Sequence, residues 1–479
     1  MNSNDLKKKS LSSVKLLAVP LGLKYLIKFA QTPVLAIFLS PADFGIWGLV
    51  NVLITALESL TEVGIQKLLI QRKTVEKGFI KSVWGFMILR GLFITATALL
   101  IVPYYASFVN SADSQFIFTL AIVVPTIQSL TTPALYLAER DIEFKNIARF
   151  DALEQIIFFI IVVVLAFIYR SVLAMVAALL IVEGIKVLMS YRFFGIPAKP
   201  RLPEWKYVKE IFSHGKHFFL ISLGTFITIQ LDNLTVGKLL GSDILGYYVI
   251  AYTLINVVIT VIRKLFGRVL FPFYTKLVEG DKQAHKKINR ILEDQFLLLC
   301  ILFGLMFIMA PPLIELLFDE RWVQAIPIIQ ILTLTGLLRG MGNLVVPMFL
   351  AEKKQNILAA GRMIEVITFL PFIYFLTIQY DAIGTAFGVG IIFLVAMIYR
   401  IVMAHRLFDL EVFKSSTMLF IAAFVLLICF AFITLIYFES YYYLIEFIGI
   451  PLLIASVLIH FYRKGKTVNY FLKEYFQYA

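Results

Sequence analysis

Apolar runs of about twenty residues recur along the whole chain, separated by short polar breaks that often begin or end at Pro or Gly. About 20 apolar helical residues cross a bilayer core, and a helix satisfies every backbone polar group within itself. The alternating ten-residue segments of a membrane barrel are absent. The pattern predicts an all-α polytopic membrane protein of about fourteen spans. They lie near 14–39, 44–66, 82–106, 116–138, 150–169, 171–190, 214–237, 244–274, 291–314, 323–350, 356–378, 382–404, 416–437 and 441–462.

Composition agrees. Of 479 residues, 60% are hydrophobic and only 16% are charged, so lipid must cover much of the surface. The net charge of +13 would suit nucleic acid, but its placement does not. Outward connections, on this count of spans, hold only Arg170, Lys238 and Arg321, and most other Lys and Arg flank the inner ends. That asymmetry places both termini in the cytoplasm and removes the need for a nucleic-acid partner. The lysines at 7–9 resemble the start of a signal peptide. Lys24 and Lys28 interrupt the apolar stretch that follows, so it reads as an uncleaved first span. Cys300 and Cys429 stand in separate apolar runs and supply neither a disulfide framework nor a metal cluster. No cofactor is expected.

The longest connection, Phe194 to Glu210, carries Pro197, Pro200 and Pro203 near mid-chain. On either side the chain repeats. Leu39-Ser-Pro-Ala-Asp-Phe-Gly45 matches Leu240-Gly-Ser-Asp-Ile-Leu-Gly246 at an offset of 201, between the first and second spans of each half. Leu137-Ala-Glu-Arg140 matches Leu350-Ala-Glu-Lys353, and Arg149 matches Arg362, all at an offset of 213. Six spans per half is an even number, so the halves insert in the same orientation, with a substrate site expected between them. The expected organisation is an N-lobe over 1–196, a cytoplasmic linker over 197–210 and a C-lobe over 211–405. Two extra spans and a cytoplasmic tail follow over 406–479.

Cations recur inside the apolar runs: Lys24, Lys28, Arg90, Lys186, Arg263, Lys264, Arg268, Arg339 and Arg362. Each costs roughly 2.5–3.5 kcal/mol at bilayer depth, so such residues face a wet cavity or a partner. Lys24 and Lys28 are one turn apart on one helical face and could clamp a pyrophosphate. Lys28 lies about 21 Å into the first helix, too deep to snorkel easily. Arg90 is deep in span three, and Arg263, Lys264 and Arg339 are further candidates for an anionic headgroup, Arg268 suiting an interfacial anchor. Glu58 and Glu62, again four apart, are candidate counter-ions or coupling-ion ligands, and Asp232 is a candidate partner for Arg339 or Arg263. Glu183 and Lys186 are expected to satisfy each other within span six.

Phe212-Ser-His-Gly-Lys-His-Phe-Phe-Leu-Ile-Ser-Leu223 and Gln230-Leu-Asp-Asn-Leu-Thr-Val-Gly-Lys-Leu-Leu-Gly-Ser-Asp-Ile-Leu-Gly-Tyr-Tyr248 carry a family resemblance. Leu270-Phe-Pro-Phe-Tyr274, Arg321-Trp-Val-Gln-Ala-Ile-Pro-Ile-Ile-Gln-Ile-Leu332 and the early Leu39–Gly45 stretch extend it. Together they resemble the Wzx-type bacterial polysaccharide flippases of the multidrug/oligosaccharidyl-lipid/polysaccharide (MOP) exporter superfamily. The resemblance implies fourteen helices, two six-helix lobes plus two C-terminal helices, and a central cavity open to one side at a time. It also implies the substrate, an oligosaccharide on polyprenyl pyrophosphate, and cavity cations on the first and eighth helices. Those helices hold Lys24, Lys28, Arg263, Lys264 and Arg268 here. The lipid bilayer and a polysaccharide polymerase complex are the other partners such a protein would meet.

Flipping needs no covalent chemistry, so the chain is not expected to be an enzyme. A glycosyltransferase, polymerase or ligase would want a sizeable outward loop, and the outward loops here are short. A small-molecule exporter of the same superfamily remains the alternative, although a pump for cationic drugs would place acids at depth. A scaffold in a polysaccharide assembly would leave the buried cations unexplained.

Overall fold

The computed structural model describes residues 22–72, 75–141, 143–278, 282–352 and 354–408. The expected spans thirteen and fourteen and the tail, with Cys429 and His460, lie outside those residues. Every regular element among them is helical.

Helix α1 occupies 22–38 and is followed by α2 (Pro41–Leu60), α3 (Ile65–Gln71) and α4 (Lys77–Phe108). Then come α5 (Gln115–Ala121), α6 (Val124–Ser129), α7 (Ala134–Arg140), α8 (Phe144–Tyr169) and α9 (Val172–Phe194). The later helices are α10 (Trp205–Leu240), α11 (Ser242–Val278), α12 (Lys282–Leu317), α13 (Ala325–Leu344), α14 (Val346–Ala351) and α15 (Gln355–Phe408). Eight of the described helices are long and apolar enough to cross a membrane, or nine if a bent pair counts as one span.

That bent pair corresponds to the expected fourth span. It breaks between Ala112–Ser129 and Ala134–Arg140 with a 61° bend, where Pro133 ends the regular hydrogen bonding. The expected tenth span also divides, into α13 and α14, beside Pro347. Conversely, the expected spans eleven and twelve run together as α15 except at Tyr380 and Asp381, where the φ of +53° at Asp381 ends one helix and starts the next. Helix α10 starts at Trp205, earlier than expected, because the preceding linker packs on α4. There Arg201 N–H donates to the Lys81 carbonyl at 3.2 Å, and Tyr207 stacks edge-on against Phe79, with ring centroids 5.2 Å apart.

The chain divides into two compact units, Met1–Ile250 and Ala251–Ala479. In the first, α2 is set by a capping box in which Ser40 and Asp43 bond reciprocally, with Pro41 preorganised at the first turn. Asp43 also accepts from the Val172 N–H at 2.8 Å, tying the start of α2 to the start of α9. Small residues let α2 approach α10 and the first turns of α11 closely, Gly48 against Val249 and Gly237 against Leu49. In the second unit, α13 is the central helix: its apolar stretch is 89% buried, against 17% for α8 in the first unit. Gly336 seats Phe303 and Ile255, and Trp322, fully buried, packs on Phe318 at the entry to α13.

Candidate functional site

The cations of α1 divide into two environments. Lys24 Nζ reaches Asp151 Oδ2 on α8 at 3.2 Å, and both side chains are half-buried. Two turns further on, Gln155 donates to Gln31 at 3.1 Å, so a polar seam joins α1 to α8. Lys28, one turn from Lys24, is exposed. The counter-ion of Lys24 is thus Asp151 in this structure, and Glu62 faces Arg90 instead.

Arg90 on α4 closes over the end of α2. Its guanidinium donates to the Glu58 carbonyl at 3.1 Å and the Thr61 hydroxyl at 3.0 Å, and lies 3.9 Å from the Glu62 carboxylate. Glu62 in turn accepts from the Gly64 N–H at 2.5 Å. Gly64 has φ +66°, a left-handed conformation that glycine adopts at little cost, and here α2 turns into α3. Lys186 on α9 bridges Glu183 at 3.4 Å, as its spacing predicts, and also Glu154 on α8 at 3.1 Å.

Asp232 on α10 is 1% exposed and accepts from the Tyr248 hydroxyl at 2.9 Å and the Asn233 N–H at 2.9 Å. Gln230 beside it donates to Thr55 on α2 at 3.2 Å and accepts from Asn233 at 3.0 Å. A polar ladder therefore runs through an otherwise apolar helix pair.

In the second unit Arg339 stands over the Phe393 ring, 5.1 Å from its centroid, with Tyr252 hydroxyl at 3.5 Å. Glu365, fully buried, takes Arg362 on one oxygen at 2.6 Å and Arg400 on the other at 2.5 Å. Two guanidinium groups on one carboxylate leave this group of three side chains net positive. Gly342 and Gly361 leave room for the Arg400 guanidinium, which a Cβ at either would meet at 3.4 Å. Arg263, Lys264 and Arg268 lie on α11, and their side chains fall outside the described residues.

Residues 34–327 match the family model described as polysaccharide biosynthesis protein, well over half of the chain. The chain belongs to that family. This polysaccharide biosynthesis protein is 22% identical over 404 residues to the lipopolysaccharide biosynthesis protein WzxC of Escherichia coli, covering 80% of this chain and 78% of that one. It is also 22% identical over 391 residues to a membrane protein of the cps region of Klebsiella pneumoniae, covering 80% of each. Among solved structures, the lipid II flippase MurJ in an inward closed conformation superposes with a TM-score of 0.70 at 14% identity, over 94% of this chain and 100% of that one. An inward-facing MATE multidrug transporter of the MOP superfamily gives 0.61 at 16% identity, over 84% and 99%. The family member described here therefore has the MOP transporter fold and is a multi-pass membrane protein of polysaccharide biosynthesis.

Several functional-site candidates in this family member escaped the sequence reading. Asp151 stands 127 residues from Lys24 and at the edge of its expected span, where a carboxylate reads as interfacial. Glu365 and Arg400 are 35 residues apart and meet only because α15 folds back at Asp381.

Proposed function

We propose that the protein is a flippase that moves a polyprenyl-pyrophosphate-linked oligosaccharide from the cytoplasmic to the outer leaflet by alternating access through a basic cavity. Membership of the polysaccharide biosynthesis family carries this reading, and the likeness to WzxC supports it. The diphosphate and sugars cannot cross hydrocarbon alone, whereas the prenyl chain can stay in lipid. Cations at membrane depth replace water around the diphosphate. Of the sequence candidates, Lys28 and Arg339 suit this role best: Lys28 is exposed, and Arg339 makes one long hydrogen bond and a ring contact. Lys24 and Arg90 are held by Asp151 and by the end of α2, so their part is to shape the first unit. Arg263 and Lys264 complete the proposed set on α11.

In this reading 1–196 and 211–405 are the two lobes, 197–210 is the cytoplasmic linker, and both termini are cytoplasmic. Residues 406–479 add two spans and a tail, which makes fourteen. No catalytic step is needed. An inside-negative potential favours outward movement of a diphosphate by about 2.3 kcal/mol per charge per 100 mV, so the potential alone can drive the cycle. A polysaccharide polymerase complex would receive the product.

The test is leaflet exchange of a fluorescent polyprenyl-pyrophosphate oligosaccharide in proteoliposomes. Exchange by the wild type, lost in Lys28→Ala with Arg339→Ala, is the expected result. Wild-type inactivity under an imposed potential and ion gradient would favour the small-molecule exporter, a reading that the MATE-like fold also accommodates.

A further inference from the structure

The linker from α9 into α10 presents two faces. Pro197, Pro200 and Pro203 hold 195–204 out of helix, and each removes a backbone N–H. Two of the remaining N–H groups bind α4: Arg201 donates to the Lys81 carbonyl at 3.2 Å, and Glu204 to the Ser82 hydroxyl at 3.4 Å. Gly85 permits that approach, because a Cβ there would lie 1.8 Å from the Arg201 carbonyl oxygen. One face of the linker is therefore strapped to residues 81–85 of α4.

The attachment fixes its depth. Helix α4 carries Lys77 and Lys81 in its first turns and no further charge until Arg90, and its apolar run opens at Ser82. At 1.5 Å per residue, every pinned position lies within about 5 Å of that opening. One turn further in, Phe212 of α10 stacks edge-on against Phe86, with ring centroids 5.8 Å apart. The linker thus runs at the level where polar surroundings give way to apolar ones. Its other face has the composition of a membrane interface. Leu202 is 77% exposed and Trp205 78%. Lys199, Arg201, Lys206 and Lys209 stand exposed beside them. Glu204 offsets only Lys206, at 3.4 Å, and among the described residues the other three cations have no ion pair.

We propose that 195–209 is an interfacial strap that binds anionic phospholipid. Leu202 and Trp205 enter the boundary between headgroups and acyl chains, and Lys199, Arg201 and Lys209 hold headgroup phosphates. A soluble acidic protein would need this face to stand clear of the bilayer, which the attachment to Lys81, Ser82 and Gly85 opposes. Lipid on the outer face acts on the inner one through a short path. Tyr207, buried between them, stacks on Phe79 and donates to Glu76 at 3.2 Å, so the strap sets how α10 starts against α4. The inference goes beyond the flippase reading. The leaflet follows from the orientation proposed above, but the lipid contact stands whatever the substrate.

Trp205 is its own reporter, since Trp84 and Trp322 are buried and Trp47 is half-buried. The full-length protein is placed in vesicles of mixed phosphatidylcholine and phosphatidylglycerol, with bromine on the acyl chains of one lipid at a time. The emission that Trp205→Phe removes is expected to be quenched by brominated lipid and shielded from aqueous acrylamide. Brominated phosphatidylglycerol should quench it about twofold or more better than brominated phosphatidylcholine, because each basic side chain near the surface favours anionic lipid. Lys199→Gln, Arg201→Gln and Lys209→Gln together should abolish that preference; all three side chains are exposed, so the fold is expected to survive. Trp205 emission quenched by acrylamide and untouched by brominated lipid overturns the proposal and gives the face to a soluble partner. Equal quenching by the two lipids overturns the anionic recognition. None of these outcomes depends on transport, so the flippase reading is tested separately.

Discussion

Gly45 and Gly246 exchange contacts. A Cβ on Gly45 would lie 1.8 Å from the Ser242 carbonyl oxygen, and a Cβ on Gly246 would lie 1.9 Å from the Pro41 carbonyl oxygen. Ser242 follows Pro41, and Gly246 follows Gly45, by the same 201 positions that the sequence repeat gives. The two contacts are therefore one contact made twice, as a local two-fold axis between the starts of α2 and α11 requires.

Neither side of that contact can yield, because both are backbone. Gly45→Ala and Gly246→Ala are each expected to destabilise the protein by about 1–3 kcal/mol through forced separation of the helix ends. Gly184, with open space around its Cβ position, is the control, and Gly184→Ala should be neutral or stabilising. Thermal unfolding in mild detergent distinguishes the three.

Breaking the Glu365 pair should be the most damaging change in the second unit. Glu365→Gln leaves Arg400, 7% exposed at its side chain, as an uncompensated buried charge, and a loss of about 3–5 kcal/mol is expected. Arg400→Lys should not substitute, since Lys lacks the planar fork that meets the carboxylate. Folded yield on size-exclusion chromatography is the readout.

The two α1 lysines should behave differently. Lys28→Ala is expected to slow leaflet exchange about tenfold or more, equivalent to about 1.4 kcal/mol of lost transition-state stabilisation. Lys24→Ala should chiefly lower stability, and Asp151→Asn should produce the same loss, because the two form one pair. A double-mutant cycle on unfolding midpoints would show the coupling between Lys24 and Asp151.

At the connection between α12 and α13, the hydrogen bonds from Arg321 hold the Asp319 carboxyl below its ordinary range. The ionised form is thus favoured by folding. Its contribution is present above the ordinary carboxylate value and is lost as pH falls through the lowered one. Both side chains are nearly half exposed, so the effect is about 0.2–1 kcal/mol. Asp319→Asn should lower the unfolding midpoint slightly at neutral pH and leave it unchanged in strong acid.

The sequence made the helices and their apolar extents legible because hydropathy is a local property. The expected gap at 379–381 coincides with the break at Tyr380 and Asp381. The bends were less legible. Proline is tolerated inside membrane helices when neighbours re-satisfy the backbone, so Pro125 and Pro133 did not divide the expected fourth span. Pair assignments were least legible: spacing places Glu183 beside Lys186, but only the packing of α8 on α9 brings Glu154 to the same ammonium group. For the same reason spacing marks Glu62 and Lys24 as charged groups in need of partners, but only the packing supplies Arg90 to the one and Asp151 to the other.

The contrast between α8 and α13 bears on how such chains diverge. A helix with 17% of its apolar stretch covered by protein answers mainly to lipid, which accepts any greasy side chain of any shape. One with 89% covered must keep volumes that fit its neighbours. Substitutions should therefore accumulate quickly along α8 and slowly along α13. A family whose members share 22% of their residues can keep one architecture if most of its drift falls on surfaces where the only selective demand is oiliness.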